Sequence, residues 1–216
     1  MGLASLLVDL LKGLGVSVEL FLLTLVFALP LGLLVAFGRM SKSFVVRQAC
    51  RIYISVLRGT PLMLQLLFVY FGPYYLFRVS LSGYSPFVGA IVAFVLNYAA
   101  YFAEIYRAGI ESIDPGQYEA ASALGLGRAR TFAHVVFPQV VKRIIPPVTN
   151  EVITLVKDTS LAFTLSVMEM FTVAKMAAAA HTTMTPLIAA GVFYYIFNGL
   201  VAWAMARLER RFAYYE

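Results

Sequence analysis

The chain has 216 residues, of which 61% are hydrophobic and 13% charged, whereas soluble domains carry about 25% charged residues, so an ordinary soluble fold is excluded. The length allows about four to six membrane spans of about 20 apolar residues each, and the single Cys50 excludes an intramolecular disulfide. The net charge of +6 does not indicate nucleic-acid binding, because the basic residues lie at the ends of apolar runs and form no patch with exposed aromatic residues.

Five apolar runs are each long enough to cross a membrane: 15–37, 52–77, 86–106, 148–170 and 186–206. The first run is longer than the apolar part of a signal peptide, contains Glu19, and has no small-residue cleavage site before Arg39. We therefore count it as a span. Together the runs predict an all-α membrane protein with five transmembrane helices in a single domain covering residues 1–216.

Lysine and arginine are distributed unequally over the two sides of this predicted bundle. If alternate loops lie on opposite sides, one side carries Arg39, Lys42, Arg47, Arg51, Arg107, Arg128, Arg130, Lys142, Arg143, Arg207, Arg210 and Arg211. The other side carries only Lys12, Arg78 and Lys175. Because loops rich in Lys and Arg stay in the cytoplasm, the amino terminus is predicted outside and the carboxyl terminus inside.

The longest connection, residues 107–147, lies on the predicted cytoplasmic side and contains a charged, glycine-broken stretch at 111–139, which we call the insert. Asp114, Pro115 and Gln117 have the spacing of a helix start with a capping box, and Gly125 can end that helix. Helical spacing then resumes until Pro138 interrupts it. The pattern predicts two short cytoplasmic helices set at an angle, and an interfacial hairpin that only caps the bundle is the alternative.

The insert resembles the EAA motif of ABC importer permeases, EAA-x3-G-x9-I-x-L-P. Here the motif reads Glu119-Ala120-Ala121, three residues, Gly125, nine residues, then Val135-Val136-Phe137-Pro138, with Val and Phe in place of Ile and Leu. Four further stretches resemble permeases for polar amino acids of the histidine, glutamine, arginine and cystine type. They are Arg58-Gly59-Thr60-Pro61-Leu62 with Gln65, Glu104-Ile105-Tyr106-Arg107-Ala108-Gly109-Ile110, Asp114-Pro115-Gly116-Gln117 and Lys157-Asp158-Thr159-Ser160-Leu161.

This resemblance implies a type I importer permease fold in a bacterial inner membrane, with the insert docked into a cleft of a separate ABC ATPase. The residues that it assigns to this coupling are Glu119, Ala120, Ala121, Gly125, Arg128 and Pro138. It also implies a second permease chain, an extracytoplasmic solute-binding protein and a polar amino acid as substrate. The chain contains no GxxxxGK[ST] loop, so ATP and Mg are expected on the partner ATPase, with no cofactor or metal bound by this chain.

Polar residues from three spans are predicted at similar depth. At 1.5 Å per residue, Asp158 lies about 15 Å along its span, Asn97 about 16 Å and Gln65 about 20 Å. Polar groups inside a membrane are costly and mark a pathway or a paired site. The candidate substrate pathway consists of Gln65, Asn97, Glu151, Lys157, Asp158, Thr159 and Ser160, in which the Asp158 carboxylate suits an ammonium group and Lys157 or the hydroxyls suit a carboxylate.

Several alternatives remain open from the sequence. Lys157 and Asp158 point about 100° apart on a regular helix, so one of them is expected to pair with a neighbouring helix, and both could form a structural ion pair. Glu151 and Arg58 are expected to snorkel, with their charged ends extended toward the membrane surface. For Glu151, a gate contact is the alternative. An ion-coupled secondary transporter or channel is the alternative function. An enzyme is not expected, because no nucleophile and base occur in a catalytic arrangement.

Overall fold

The computed structural model describes residues 3–78 and 83–212, and the regular structure in these ranges is entirely helical. The prediction of one domain over 1–216 therefore extends beyond the described residues. The helices are α1 Leu3–Arg39, α2 Phe44–Gly59, α3 Leu62–Phe77, α4 Pro86–Glu111, α5 Pro115–Ala123, α6 Arg128–Thr131, α7 Phe137–Asp158, α8 Met170–His181 and α9 Thr185–Phe212. A π-helical turn, Phe132–Val136, joins α6 to α7, and a 3-10 turn, Thr159–Leu165, follows α7.

Three of the described helices, α1, α4 and α9, are long and apolar enough to cross a membrane alone. Two pairs of consecutive helical segments are long and apolar enough to cross a membrane only when the two segments of each pair are counted as one bent span. The pair α2 and α3 bends by 115°, and the segment Arg128–Leu165 meets α8 at 57°. If each bent pair crosses once, the described residues contain up to five spans.

The prediction of one continuous helix over 52–77 is wrong. Helix α2 begins eight residues earlier and ends at Gly59, and α3 starts after Pro61 in a new direction. Proline favours an extended residue before it and has no N–H to continue the ladder, and Thr60 is indeed extended, with φ −123° and ψ 149°. The depth predicted for Gln65 by counting along one helix therefore does not apply.

Helix α4 lies at the centre of the bundle, with α1 along one side and α7 along another. Its buried side is rich in alanine, which allows neighbouring backbones to approach closely. Gly32 of α1 shows how close they are, because a Cβ there would lie 2.8 Å from the Cβ of Phe102 and 3.0 Å from the carbonyl oxygen of Ala99. Gly109 of α4 likewise leaves space that Ile144 of α7 occupies. This packing fixes the polar residues of α4 against α3 and α7.

The start and end of α5 follow the sequence prediction. The Asp114 side chain accepts a hydrogen bond from the Gly116 N–H at 2.6 Å, and Gly125 has φ +74°. The N–H groups of Gly125 and Leu126 return to the carbonyls of Ser122 and Ala121 at 2.9 and 3.0 Å, which is a Schellman motif. The predicted capping box is only half formed, since the side chain of Gln117 instead accepts a hydrogen bond from Gln139 at 3.1 Å.

The second predicted short helix is not a separate element. Helix α6, the π-helical turn and α7 follow one another without a break, so Pro138 does not interrupt the helix. In a regular α-helix, Pro138 would leave the carbonyl of His134 without its N–H donor. That carbonyl lies in the π-turn just before the proline, where the N–H of Phe137 bonds five residues back to the carbonyl of Phe132. The insert therefore continues directly into the helix that ends at Asp158.

Candidate functional site

Asp158 lies where α7 gives way to the 3-10 turn, and its partner is on α4. The hydroxyl of Tyr98 donates a hydrogen bond to Oδ2 of Asp158 at 2.7 Å, and Tyr98 is almost fully buried. Lys157 is exposed and forms no ion pair within residues 3–78 and 83–212. Asp158 is thus the member of the pair that contacts a neighbouring helix. The sequence prediction missed Tyr98, although it directly follows the predicted Asn97.

The two hydroxyl residues after Asp158 bond to their own helix. Thr159 donates to the carbonyl of Val156 and Ser160 to the carbonyl of Lys157, both at 2.8 Å. Thr159 is fully buried, whereas Ser160 is partly exposed. Each hydroxyl oxygen can still accept a further hydrogen bond. Ser160 is the more accessible of these two acceptors.

Gln65 and Asn97 come together and hold the bend between α2 and α3. Since Pro61 has no N–H, the carbonyl of Leu57 lacks its helical donor. It accepts instead from the side-chain amides of Gln65 at 2.9 Å and Asn97 at 3.2 Å. Asn97 also donates to Oε1 of Gln65 at 2.8 Å, and both residues are buried. Their amide groups therefore stabilise the bundle wall and do not point into an open cavity.

A groove of about 340 Å³ lies between α2, α4 and α7 toward the insert. Arg58, Tyr101, Glu104, Arg143 and Glu151 supply its polar lining. The guanidinium of Arg58 lies 5.2 Å from the centre of the Tyr101 ring, so Arg58 faces α4 across this groove. Glu104 forms a local ion pair with Arg107, which also contacts Glu111. Charged residues thus continue from Asp158 toward the insert.

Glu169 is a fully buried carboxylate that the sequence analysis missed, because it lies at the predicted end of an apolar run. It caps α8, since its oxygens accept from the N–H groups of Phe171 and Thr172, both at 2.7 Å. The hydroxyls of Thr172 and Tyr194 donate to it at 2.8 and 2.9 Å. The break between the 3-10 turn and α8 is therefore tied to α9 by a single side chain.

Helix α1 packs against the same break between the 3-10 turn and α8. The N–H of Met170 donates to the hydroxyl of Ser17 at 3.2 Å. Gly13 lies so close that a Cβ there would be 2.8 Å from the Cα of Met170. Any change in the bend at α8 must therefore also move α1 or break these contacts.

Helix α5 presents an exposed face at the end of the bundle. Glu119, Ala120, Gly125, Arg128 and Pro138 are exposed, whereas Ala121 is buried. Beneath the insert, the buried side chains of Ile113, Val136 and Val140 form a small apolar cluster. The insert therefore has one face anchored in the protein and one face free in this chain.

Two side chains of α7 tie the insert to the bundle. Arg143 donates to the carbonyl of Ser112 and to its hydroxyl, the latter at 2.9 Å. Gln139 donates to Oε1 of Gln117 in α5 at 3.1 Å. A displacement of α5 is thus passed to the first turns of α7, and Asp158 is the last residue of the same helix.

No group of three or more His, Cys, Asp or Glu side chains that could hold a metal ion occurs among the described residues. The polar residues instead line breaks in apolar helices, and a helix with an exposed face lies outside the spans. Together with the long apolar helices α1, α4 and α9, these features define the class as a polytopic membrane protein.

Comparison with known proteins identifies the family. Residues 28–214 match the family described as "Binding-protein-dependent transport system inner membrane component". The octopine transport system permease protein OccM of Rhizobium radiobacter is 38% identical over 212 residues, covering 94% of this chain and 85% of that protein. The L-cystine transport system permease protein TcyB of Bacillus subtilis (strain 168) is 37% identical over 201 residues, covering 92% and 84%.

Among solved structures, an amino acid ABC transporter crystallised with histidines matches with a TM-score of 0.86 and 30% identity, covering 94% of each chain. The present chain belongs to the family of binding-protein-dependent transport system inner membrane components. Members of this family are transport permeases and not enzymes.

Proposed function

We propose that this chain is the permease subunit of an ABC importer for polar amino acids in a bacterial inner membrane. Family membership supports a permease that works with a solute-binding protein. The relatives are named for octopine and cystine, and the similar structure is named for an amino acid ABC transporter. The compounds in these names are amino acids or amino acid derivatives. The proposal therefore concerns this chemical class and not one member of it.

The observation that carries this proposal is the free face of α5 together with its anchors. Glu119 and Ala120 are exposed, while the contacts from Arg143 to Ser112 and from Gln139 to Gln117 join the insert to α7. In the proposed complex the exposed face docks on an ABC ATPase that binds ATP and Mg. ATP-driven closure of the ATPase then moves α5 and, through the two anchors, α7.

The proposed orientation places the amino terminus outside and the insert in the cytoplasm, with five spans. Twelve of the fifteen cations outside the spans then face the cytoplasm, as the positive-inside rule requires. A second permease chain completes the translocation route, and an extracytoplasmic solute-binding protein delivers the substrate. This arrangement explains why several polar groups of a single chain, among them Lys157, are exposed.

In the proposed pathway, Asp158 receives the substrate ammonium group. Tyr98 holds this carboxylate in place through one oxygen, which leaves the other oxygen available. Lys157 and the hydroxyl of Ser160 are suited to the substrate carboxylate. Thr159, Gln65 and Asn97 shape the wall from buried positions, and Glu151 lies two turns closer to the cytoplasm.

The docking face is tested by placing a large charged side chain on it. We expect Ala120→Arg to abolish co-purification of the ATPase subunit, because a long side chain there prevents close approach to α5. The matched control is Ala180→Arg, the same change at an exposed position near the end of α8. Retention of the ATPase by both variants would show that α5 is not the docking face, whereas loss of it in both would indicate a general folding defect.

A further inference from the structure

The carboxyl-terminal end of α9 carries three arginines on an exposed face of the helix. We propose that this face binds an anionic phospholipid of the cytoplasmic leaflet. The lipid phosphate lies between Arg207, Arg210 and Arg211, and the acyl chains follow the apolar part of the same face. The inference goes beyond the proposed function and takes from it only the orientation with the carboxyl terminus in the cytoplasm.

The three arginines face one space and lack an acidic partner. They line an open cavity of about 500 Å³, and all three are exposed. None of them forms an ion pair with a residue in 3–78 or 83–212. The neighbouring acid, Glu209, lies on the opposite side of the helix from Arg207 and Arg211. Like charges that face one space repel one another, and the acceptor oxygens of a phosphate offset this repulsion.

Trp203 orients the first of these arginines. The guanidinium of Arg207 lies 5.5 Å from the centre of the Trp203 ring, and Trp203 is more than half exposed. Tryptophan is enriched at the boundary between headgroups and acyl chains, and a guanidinium stacked on a ring keeps its N–H donors free for a phosphate. The sequence did not predict this patch of basic and aromatic residues, because it does not show which side of α9 is exposed.

An apolar stripe continues from Trp203 along the same face. Val192, Ile196 and Leu200 are each more than half exposed. At about 100° per residue, all three lie within about 60° of Arg207 around the helix axis. The helix rises about 16 Å from Trp203 to Val192 and about 6 Å from Trp203 to Arg207. These lengths match half of a ~30 Å hydrocarbon core and one headgroup layer. The face therefore fits the acyl chains and the headgroup of a single leaflet.

Charge complementarity selects an anionic lipid over other occupants of this face. A zwitterionic lipid carries an ammonium group beside its phosphate, so its net attraction to three arginines is weaker. A second copy of the chain that packs here through a two-fold axis brings Arg207, Arg210 and Arg211 against the same arginines of the other copy. An anionic phospholipid supplies both the negative charge and the apolar chains that the face requires.

The lipid site lies next to the insert. Phe212, the residue after Arg211, lines a groove of about 1020 Å³ together with Phe137 and Pro138. These two residues lie at the carboxyl-terminal end of the insert, where α7 begins. A headgroup held by Arg210 and Arg211 therefore keeps the last turn of α9 beside the segment that the proposed coupling moves.

The test uses the fluorescence of Trp203, which is the only tryptophan in the sequence. The full chain is reconstituted in vesicles of phosphatidylcholine that contain increasing fractions of a lipid brominated in the upper part of one acyl chain. Bromine quenches tryptophan only at short range, so the quenching curve gives the affinity of the face for the brominated lipid. We expect brominated phosphatidylglycerol to bind at least about fivefold more strongly than brominated phosphatidylcholine.

The double variant Arg207→Gln with Arg211→Gln is expected to reduce this preference to less than about twofold, relative to its own emission without brominated lipid. The matched control is Lys42→Gln with Arg51→Gln, which removes two exposed cations from the same side of the membrane but outside the face and keeps the preference. Equal loss in both double variants would assign the preference to overall surface charge and overturn the site.

Two results with the wild type would overturn the site without any variant. The first is equal quenching by the two brominated lipids, which would show that the face does not select an anionic headgroup. The second is weak quenching by both lipids, which would show that a second chain covers Trp203. None of these outcomes concerns ATP-dependent uptake, so a failure of the lipid site is distinguishable from a failure of the proposed function.

Discussion

Replacing Glu169 by glutamine tests whether one buried side chain holds the broken span together. The change keeps the size of the side chain and removes one acceptor oxygen. In the structure, one oxygen accepts from the N–H and the hydroxyl of Thr172, and the other accepts from the N–H of Phe171 and the hydroxyl of Tyr194. A glutamine keeps one of these oxygens and places an NH₂ group opposite the donors of the other.

The expected cost follows from these contacts. Two hydrogen bonds to a carboxylate are lost, each contributing about 1.5 kcal/mol at the lower end of the range for charged groups. The sum is about 3 kcal/mol. For a chain of this size, 1 kcal/mol corresponds to about 2–4 °C in the unfolding midpoint. We therefore expect Glu169→Gln to lower the midpoint by about 6–12 °C.

The measurement is thermal unfolding of the purified chain in detergent, followed by tryptophan fluorescence at a fixed scan rate. The control is Glu19→Gln, the same chemical change at an exposed position of α1, for which we expect a shift below 1–2 °C, the usual range for surface changes of about 0.5 kcal/mol. If Glu169→Gln unfolds within 2 °C of the wild type, the carboxylate does not stabilise the break and the account of α8 is refuted.

Two further substitutions examine the polar residues of α4 and α7. Asn97→Leu removes the donor to Oε1 of Gln65 and leaves that buried oxygen without a partner. We therefore expect it to lower the free energy of unfolding by about 1–3 kcal/mol, measured by thermal unfolding. The control Asn150→Leu, at an exposed position, should not lower it. A wild-type midpoint for Asn97→Leu would disprove its role in holding the bend. Asp158→Asn can still accept from Tyr98, so we expect normal assembly with the ATPase and loss of uptake, and undiminished uptake would exclude Asp158 from the pathway.

Local signals in the sequence predicted where α5 begins and ends. Asp114 before a proline and Gly125 after a run of helix-forming residues each specify backbone geometry through their own chemistry. A side chain two residues away satisfies the first N–H groups, and a glycine accepts positive φ at low cost. Such features depend on neighbours in the chain, so they can be recognised without knowledge of the fold.

Prolines were harder to interpret because their effect depends on what surrounds them. Pro61 ends α2 with a 115° change of direction, whereas Pro138 lies in a helix that continues through a π-turn. At the first site, amides from Gln65 and Asn97 satisfy the freed carbonyl and make the bend stable. A donor 40 residues away, such as Asn97, cannot be inferred from the residues next to the proline.

Residues that act through long-range contacts were the ones that the sequence analysis missed. Tyr98 meets Asp158 across 60 residues, and Tyr194 meets Glu169 across 25. In the sequence, both tyrosines are unremarkable members of apolar runs. Only the packing of α4 and α9 against the ends of α7 and α8 brings their hydroxyls to a carboxylate. Depth along a span did not indicate which side chains meet, and the depth counted for Gln65 does not apply because its span is bent.

The most direct measurement of the central claim is uptake of labelled amino acids into proteoliposomes containing this permease, its ATPase and the solute-binding protein. The account predicts that uptake requires all three components, and that an ATPase unable to hydrolyse ATP abolishes it even when a proton or sodium gradient is imposed. Uptake that follows the imposed gradient equally well with the disabled ATPase would contradict the account and identify an ion-coupled transporter.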